Sequence, residues 1–166
     1  MNKSDVKSEV AIFAGGNFQH MIEVFSEVPG VLEVISGYTG GWKHNPTYEE
    51  VATGETGHFE AVMIIYDPSR ISYEGLLEIF WRSIDFMDAG GQFADRGTQY
   101  RTAIFYMNED QRIRATASKK KIEKALNASN MVATLILKAS KFYKAERIHQ
   151  LTARKKVQNE ATPGSV

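Results

Sequence analysis

Gly15-Gly16-Asn17-Phe18-Gln19-His20 joins an apolar run, Val10-Ala11-Ile12-Phe13-Ala14, to an amphipathic one marked by Phe18, Met21, Ile22 and Phe25. The first pattern suits a buried strand and the second a helix. A strand that ends in two glycines and turns straight into a helix leaves the first-turn N–H groups without intrahelical partners, at the positive end of the helix dipole. Glycine lets backbone and ligand approach closely there. Such a turn presents a nucleophile or holds an anion. The residue after the glycines is Asn17, which can cap a helix but cannot attack.

Outward from that turn, the pattern predicts a strand over Val6–Ala14 and a helix over Asn17–Val28, stopped by Pro29-Gly30. Val31–Ile35 reads as a strand, and Gly37-Tyr38-Thr39-Gly40-Gly41 as a flexible aromatic loop. A long excursion from Trp42 to Gly57 contains a short helix near Tyr48–Val51. Phe59–Tyr66 is a strand halted by Asp67-Pro68, and Ser72 caps a helix from Tyr73 to about Ile84. Asp85–Gln99 lacks periodicity and reads as a loop, long enough to carry function. Thr102–Met107 is a strand, and Asn108 caps a helix over Glu109–Leu126. In that helix Glu109 and Asp110 lead and Lys119-Lys120-Lys121 trails, so the lysines form a solvated face that suits the dipole. Met131–Leu137 is a last strand, Ala145 to about Lys156 is helical, and the tail, residues 157–166, is frayed. The order strand, helix, strand, strand, helix, strand predicts an α+β two-layer sandwich. Its mixed sheet has a split βαβ (ferredoxin-like) core, with extra helices and loops, in a single domain over residues 1–166.

Twenty basic and twenty acidic residues cancel among the 166, so no overall field draws the chain to nucleic acid or to an anionic membrane. No apolar run is long enough for a membrane span, and the first residues lack the apolar core of a signal peptide, so a cytoplasmic location is expected. His20, His44, His58 and His149 have no ligand spacing, and no metal site is expected. Trp42 and Trp81 are read as packing residues. The chain has no cysteine, which removes disulfides, thiolate ligands and thiol catalysis together.

Five phrases stand in a telling order: Gly15-Gly16-x-Phe18; Gly37-Tyr38-Thr39-Gly40-Gly41; Asn45-Pro46-Thr47-Tyr48-Glu49-Glu50-Val51; Gly57-His58-x-Glu60-Ala61-Val62; and Asp95-x-Gly97-Thr98-Gln99-Tyr100-Arg101. Through them the chain resembles the peptide methionine sulfoxide reductase A family over about residues 8–150. The resemblance implies a cysteine directly after the glycine pair, whose thiolate attacks the sulfur of methionine-(S)-sulfoxide and is recycled by thioredoxin or dithiothreitol, with no bound cofactor. Asn17 stands at that nucleophile position. The resemblance makes Glu60 the acid that protonates the sulfoxide oxygen, which requires a desolvated, neutral carboxyl. It makes Tyr38 and Tyr100 phenols that donate to the same oxygen, and Asp95 the group that fixes the substrate main chain or positions the loop. Phe18 lines a methyl pocket whose tryptophan partner is replaced by Gln19. Further departures are Phe86 in place of a proline, and Lys144, Ile148, Thr152 and Ala153 in the segment that follows Phe142-Tyr143.

Several readings stay open at this stage. Asn17 is a helix cap or an amide donor to a ligand. Glu60 is a ligand-facing acid or a hydrogen-bonded structural carboxylate, Tyr38 leans to function, and Tyr100 equally serves packing. For the whole chain, the expectation is a domain without thiol-dependent reductase activity. It either binds methionine sulfoxide or a similar small polar ligand, uses Glu60 or Asp95 for other acid–base chemistry, or serves as a non-catalytic interaction module. Thioredoxin is not an expected partner without cysteines.

Overall fold

The computed structural model describes residues 7–127 and 131–150. The expected frayed tail therefore lies outside the described residues, as does the helix beyond Gln150. Strands β1 (Glu9–Gly15), β2 (Val31–Thr39), β3 (Phe59–Tyr66), β6 (Thr102–Tyr106), β7 (Leu135–Lys138) and β8 (Phe142–Lys144) form one sheet in the order β7-β6-β1-β3-β2-β8. Only β6 and β7 are parallel; the other neighbours are antiparallel. The inner order β6-β1-β3-β2 is the expected split βαβ core, and the fold is α+β.

Side-chain parity divides the sheet into two faces. Ala11 and Phe13 of β1, Val62, Ile64 and Tyr66 of β3, and Ile104 of β6 join the helices in the main core. Ile12, Ala14, Phe59, Ala61, Ala103 and Phe105 make a smaller cluster on the other side. The helices on the main face are α1 (Phe18–Phe25), α3 (Tyr73–Ser83) and α4 (Glu109–Leu126). Helix α1 buries Phe18, Met21, Ile22 and Phe25, and α3 buries Leu76, Leu77, Phe80 and Trp81. Phe13 stacks on Phe80 at 4.8 Å and meets Phe25 at 5.6 Å, so β1, α1 and α3 share one aromatic centre. Burial of each such ring contributes about 2–3 kcal/mol. Each helix start carries its expected cap: Asn17 accepts from Gln19 N–H, Ser72 from Gly75 N–H and Asn108 from Gln111 N–H. Lys119 departs from a purely solvated lysine face, because its Nζ donates to Thr134 O at 2.7 Å.

The differences from the sequence pattern lie in the connections. Gly37-Tyr38-Thr39 is the end of β2, paired with Ala61, Glu60 and Phe59 on one side and with Lys144, Tyr143 and Phe142 of β8 on the other. The short β8 had no periodic signal, and Gly37 leaves room for it: a Cβ there would run into the Phe142 ring and Tyr143 O. The stretch 85–99 is ordered by a hairpin of β4 (Gly91–Gln92) and β5 (Asp95–Arg96), then a 3-10 turn over Thr98–Tyr100. Strand β7 begins at Leu135, because Ala133 N–H is taken by Phe86 O and Thr134 bonds Thr102 through the hydroxyls. The short helix α2 spans Tyr48–Ala52 behind a reciprocal Thr47–Glu50 capping box. A last helical turn starts at Arg147.

Gly37→Ala is expected to lower stability by about 2 kcal/mol, since backbone as well as a ring must shift to admit the methyl. Urea denaturation measures this, and an unchanged midpoint would show that β8 is not seated against Gly37.

Candidate functional site

The loops after β1 and β2 and those before β3 and β6 all leave the same edge of the sheet, because β1 and β2 run opposite to β3 and β6. Glu60 is the second residue of β3 and shares the parity of Val62 and Ile64, so it faces the helices. Only 2% of it is exposed. It sits beneath the start of α1, where Phe18 N–H donates to Glu60 Oε1 at 3.1 Å. Burial raises its carboxyl from an ordinary 4.5 to about 7; the Phe18 N–H opposes that rise, and the Asp95 charge adds to it. Near neutral pH, Glu60 therefore carries a proton for much of the time.

Three phenols surround this acid. Tyr100, half-buried in the 3-10 turn, is pushed up to about 12 by burial and then by Glu60, Tyr48 and Asp95. Tyr48, at the start of α2, is raised by burial and then by Glu60 and Asp95. Tyr38 is raised most, by burial and then by a hydrogen bond to Glu146. Its hydroxyl donates to Glu146 Oε1 at 2.8 Å and its ring is fully buried. Tyr38, expected in a flexible loop, is instead a fully buried residue of β2. The unforeseen strand β8 delivers Glu146 to its tip, so its one proton is already committed. Tyr48 has no such commitment through its hydroxyl among the described hydrogen bonds, yet it lies within the fields of both Glu60 and Asp95.

The walls are aromatic. The Phe18 ring lies 5.9 Å from Tyr38, 6.4 Å from Tyr48 and 5.4 Å from His149. His149 packs on Tyr48 at 4.5 Å. Gln19, expected in the methyl pocket, turns its amide to His149 O at 3.4 Å and so ties α1 to the C-terminal segment. That segment is secured twice more. Glu146 Oε2 accepts from Tyr48 N–H at 2.8 Å, and Gln150 both accepts from Ser36 N–H at 3.2 Å and donates to Ser36 O at 2.7 Å. The donors pull Glu146 below the usual carboxyl range in spite of its burial, so it is an anion that fixes two tyrosines.

Asn17 is half-buried, with φ −60° and ψ 128°, and its Oδ1 accepts from Gln19 N–H at 2.7 Å. The amide thus caps the helix. Gly16 has φ +87°, and a Cβ there would stand 2.7 Å from the Cβ of Gln92. Asp95 lies on β5, opposite Gln92. Phe18 N–H thus meets Glu60, and the Asp95 charge reaches both Glu60 and Tyr100. Tyr48, Glu146 and His149, which also border this cluster, were not singled out from the sequence. The Tyr48 signal was available in Asn45-Pro46-Thr47-Tyr48, where a turn and a cap fix the tyrosine at a helix start. Among the described residues, no three His, Asp or Glu side chains converge as metal ligands.

The model of the family described as peptide methionine sulfoxide reductase matches residues 9–163. Peptide methionine sulfoxide reductase MsrA of Bacillus licheniformis is 55% identical over 144 residues, covering 87% of this chain and 80% of that protein. The MsrA of Streptococcus mutans is 48% identical over 158 residues, covering 95% and 94%. Among solved structures, methionine sulfoxide reductase A of Corynebacterium diphtheriae superposes with a TM-score of 0.81 at 32% identity, covering 89% of this chain and 74% of that one. With a buried acid under a helix start, phenols around it and this breadth of likeness, the chain belongs to the peptide methionine sulfoxide reductase family.

Proposed function

We propose that this chain binds methionine-(S)-sulfoxide through the family's recognition groups and, without a thiol, does not reduce it. The observation that carries this reading is a buried Glu60, protonated near neutrality, beside a nucleophile position filled by a capping Asn17. A sulfoxide oxygen is a strong acceptor with no proton of its own. The neutral carboxyl of Glu60 and the hydroxyls of Tyr48 and Tyr100 are the donors proposed to meet it. The Phe18 ring would hold the S-methyl group, and Asp95 would orient the main chain of the ligand or its own loop. Tyr38 supports the site from behind through Glu146.

In a cysteine-bearing version of this site, the thiolate attacks the sulfur, the S–O bond breaks, and the oxygen ends on the enzyme sulfur as a sulfenic acid while the thioether leaves. Two reductant thiols then return the sulfenic acid to thiol, forming a disulfide and water. Asn17 offers no electron pair for the first step, because its amide nitrogen is delocalised and its oxygen is spent on the cap. Thioredoxin would find neither sulfenic acid nor disulfide to reduce, so it has no role here. The cytoplasm, expected from the sequence, is the location we propose; no helix among the described residues is long and apolar enough to cross a membrane.

A turnover assay with dithiothreitol and a peptide carrying methionine-(S)-sulfoxide is expected to show no methionine from this chain. Asn17→Cys is expected to raise the rate at least about a hundredfold over that background. Robust reduction by the unaltered chain would refute the binding-only reading, and a silent Asn17→Cys variant that still folds would mean the recognition groups are not intact.

Binding should also depend on pH in one direction. The protonated Glu60 donates and the ionised form repels the sulfoxide oxygen, so affinity is retained below the pKa of about 7 and falls as pH rises through it. Above that value the loss approaches about tenfold per pH unit. Glu60→Gln keeps a donor and an acceptor at all pH values, so calorimetric titration of this variant should give a flat profile.

A further inference from the structure

The hairpin β4–β5 carries a side chain that neither packing nor turn chemistry accounts for. Phe93, at its tip, has φ +52° and is 67% exposed. A left-handed backbone is unfavourable for a bulky residue and suits glycine or asparagine. An exposed aromatic ring on such a backbone gains little for the fold beyond its edge contact with His20. Trp42, the other widely exposed aromatic, differs: its indole N–H donates to Glu55 O at 2.9 Å and closes its loop.

The platform under Phe93 is firmly held. Buried Gln92 accepts from Asp85 N–H and donates to Asp85 O, both at 2.8 Å. Arg96 forks onto the two carboxylate oxygens of Asp88 at 2.6 and 2.8 Å and reaches Phe93 O at 3.4 Å. Gly97 N–H donates to Gly90 O at 3.0 Å across the hairpin base. The tip also has a fixed place relative to the pocket. Gln92 packs against Gly16, and the Phe93 ring stands edge-on to His20 on the first turns of α1, 6.3 Å between centroids. Asp95, two residues on, is the carboxylate whose field reaches Glu60 and Tyr100.

We infer that Phe93 is an apolar subsite beside the pocket mouth. Its ring packs against a nonpolar side chain flanking the residue held over Glu60, and so favours a sulfoxide set in apolar sequence, such as an exposed core segment of an unfolded protein. On the hairpin, Arg96 is neutralised by Asp88, and the field of Asp95 reaches Glu60 and Tyr100, while the exposed ring itself offers an apolar contact. Strain kept at an exposed position beside a cleft is what a binding role would maintain against stability. The inference rests on the pocket reading proposed above.

Calorimetric titration at pH 6 with three probes tests it: two short peptides, each with one methionine-(S)-sulfoxide flanked by leucines or by serines, and N-acetyl-methionine-(S)-sulfoxide amide. The unaltered chain is expected to prefer the leucine-flanked peptide by about tenfold, the effect of one well-buried apolar contact. Phe93→Asn should bring that ratio to near one, leave the affinity for the N-acetyl amide unchanged, and raise Tm, since asparagine suits the left-handed backbone. Phe93→Leu should keep most of the preference. A ratio near one in the unaltered chain, or a ratio unchanged in Phe93→Asn, overturns the subsite alone. Failure of all three probes to bind the unaltered chain overturns the pocket reading and the subsite with it.

Discussion

The contact between Phe18 N–H and the carboxyl of Glu60 is the constraint on which the site depends. A helix start supplies donors without partners, and a strand buried on both faces supplies no water. Placing a carboxyl between them satisfies one donor and leaves the acid desolvated. Burial outweighs the single N–H, so the acid is held near neutrality instead of as a firm anion. Two or three N–H donors would have reversed that balance and fixed a carboxylate. The result is a desolvated acid that carries a proton near neutrality, which is a narrower specification than the anion-binding turn suggested by the glycines alone.

Asn17 fits into the same arrangement. By accepting from Gln19 N–H it removes another free donor from the helix start, so less positive potential is left to attract an anion or to depress a thiol pKa. A cysteine at that position would leave the donor free and gain from it. Relative to such a cysteine, Asn17 therefore gives the turn a more neutral, capped surface.

The parts of this fold that were legible in the sequence are those with a period or a cap. Phe59–Tyr66 and Glu109–Leu126 coincide with the pattern because each is a long periodic or apolar run with a strong boundary at Asp67-Pro68 or Asn108. Three-residue β8 has no period, and it forms because Gly37 leaves room for Phe142 and because Thr39 Oγ1 donates to Lys141 O. Without β8 in view, Tyr38 could not be seen to end on Glu146. The 85–99 stretch looked structureless for a similar reason: its order comes from side chains of single residues, Gln92 and Arg96, bonding to backbone and to Asp88. Glu60, Asp95 and Tyr100 were singled out through resemblance, and each lies within the field of another of the three. The commitment of Tyr38 and the role of Glu146 depended on a strand pairing that no local pattern encodes.

Glu146 makes the C-terminal segment part of the site's mechanics. One carboxylate accepts from the Tyr38 hydroxyl on β2 and from Tyr48 N–H at the start of α2, so it joins a core strand to a surface helix through a single side chain. His149, one turn further on, rests on Tyr48 and Phe18. The position of the Tyr48 phenol relative to Glu60 is consequently set from three directions: by its own capping box, by the anion at its N–H, and by the imidazole on its ring. Hydrogen bonds to a charged group are the stronger kind, about 1.5–3 kcal/mol each. A segment fastened by two of them, with Gln150 adding a rung to Ser36, does not serve as loose packing. It holds the Tyr38 and Tyr48 side chains in register with the buried Glu60.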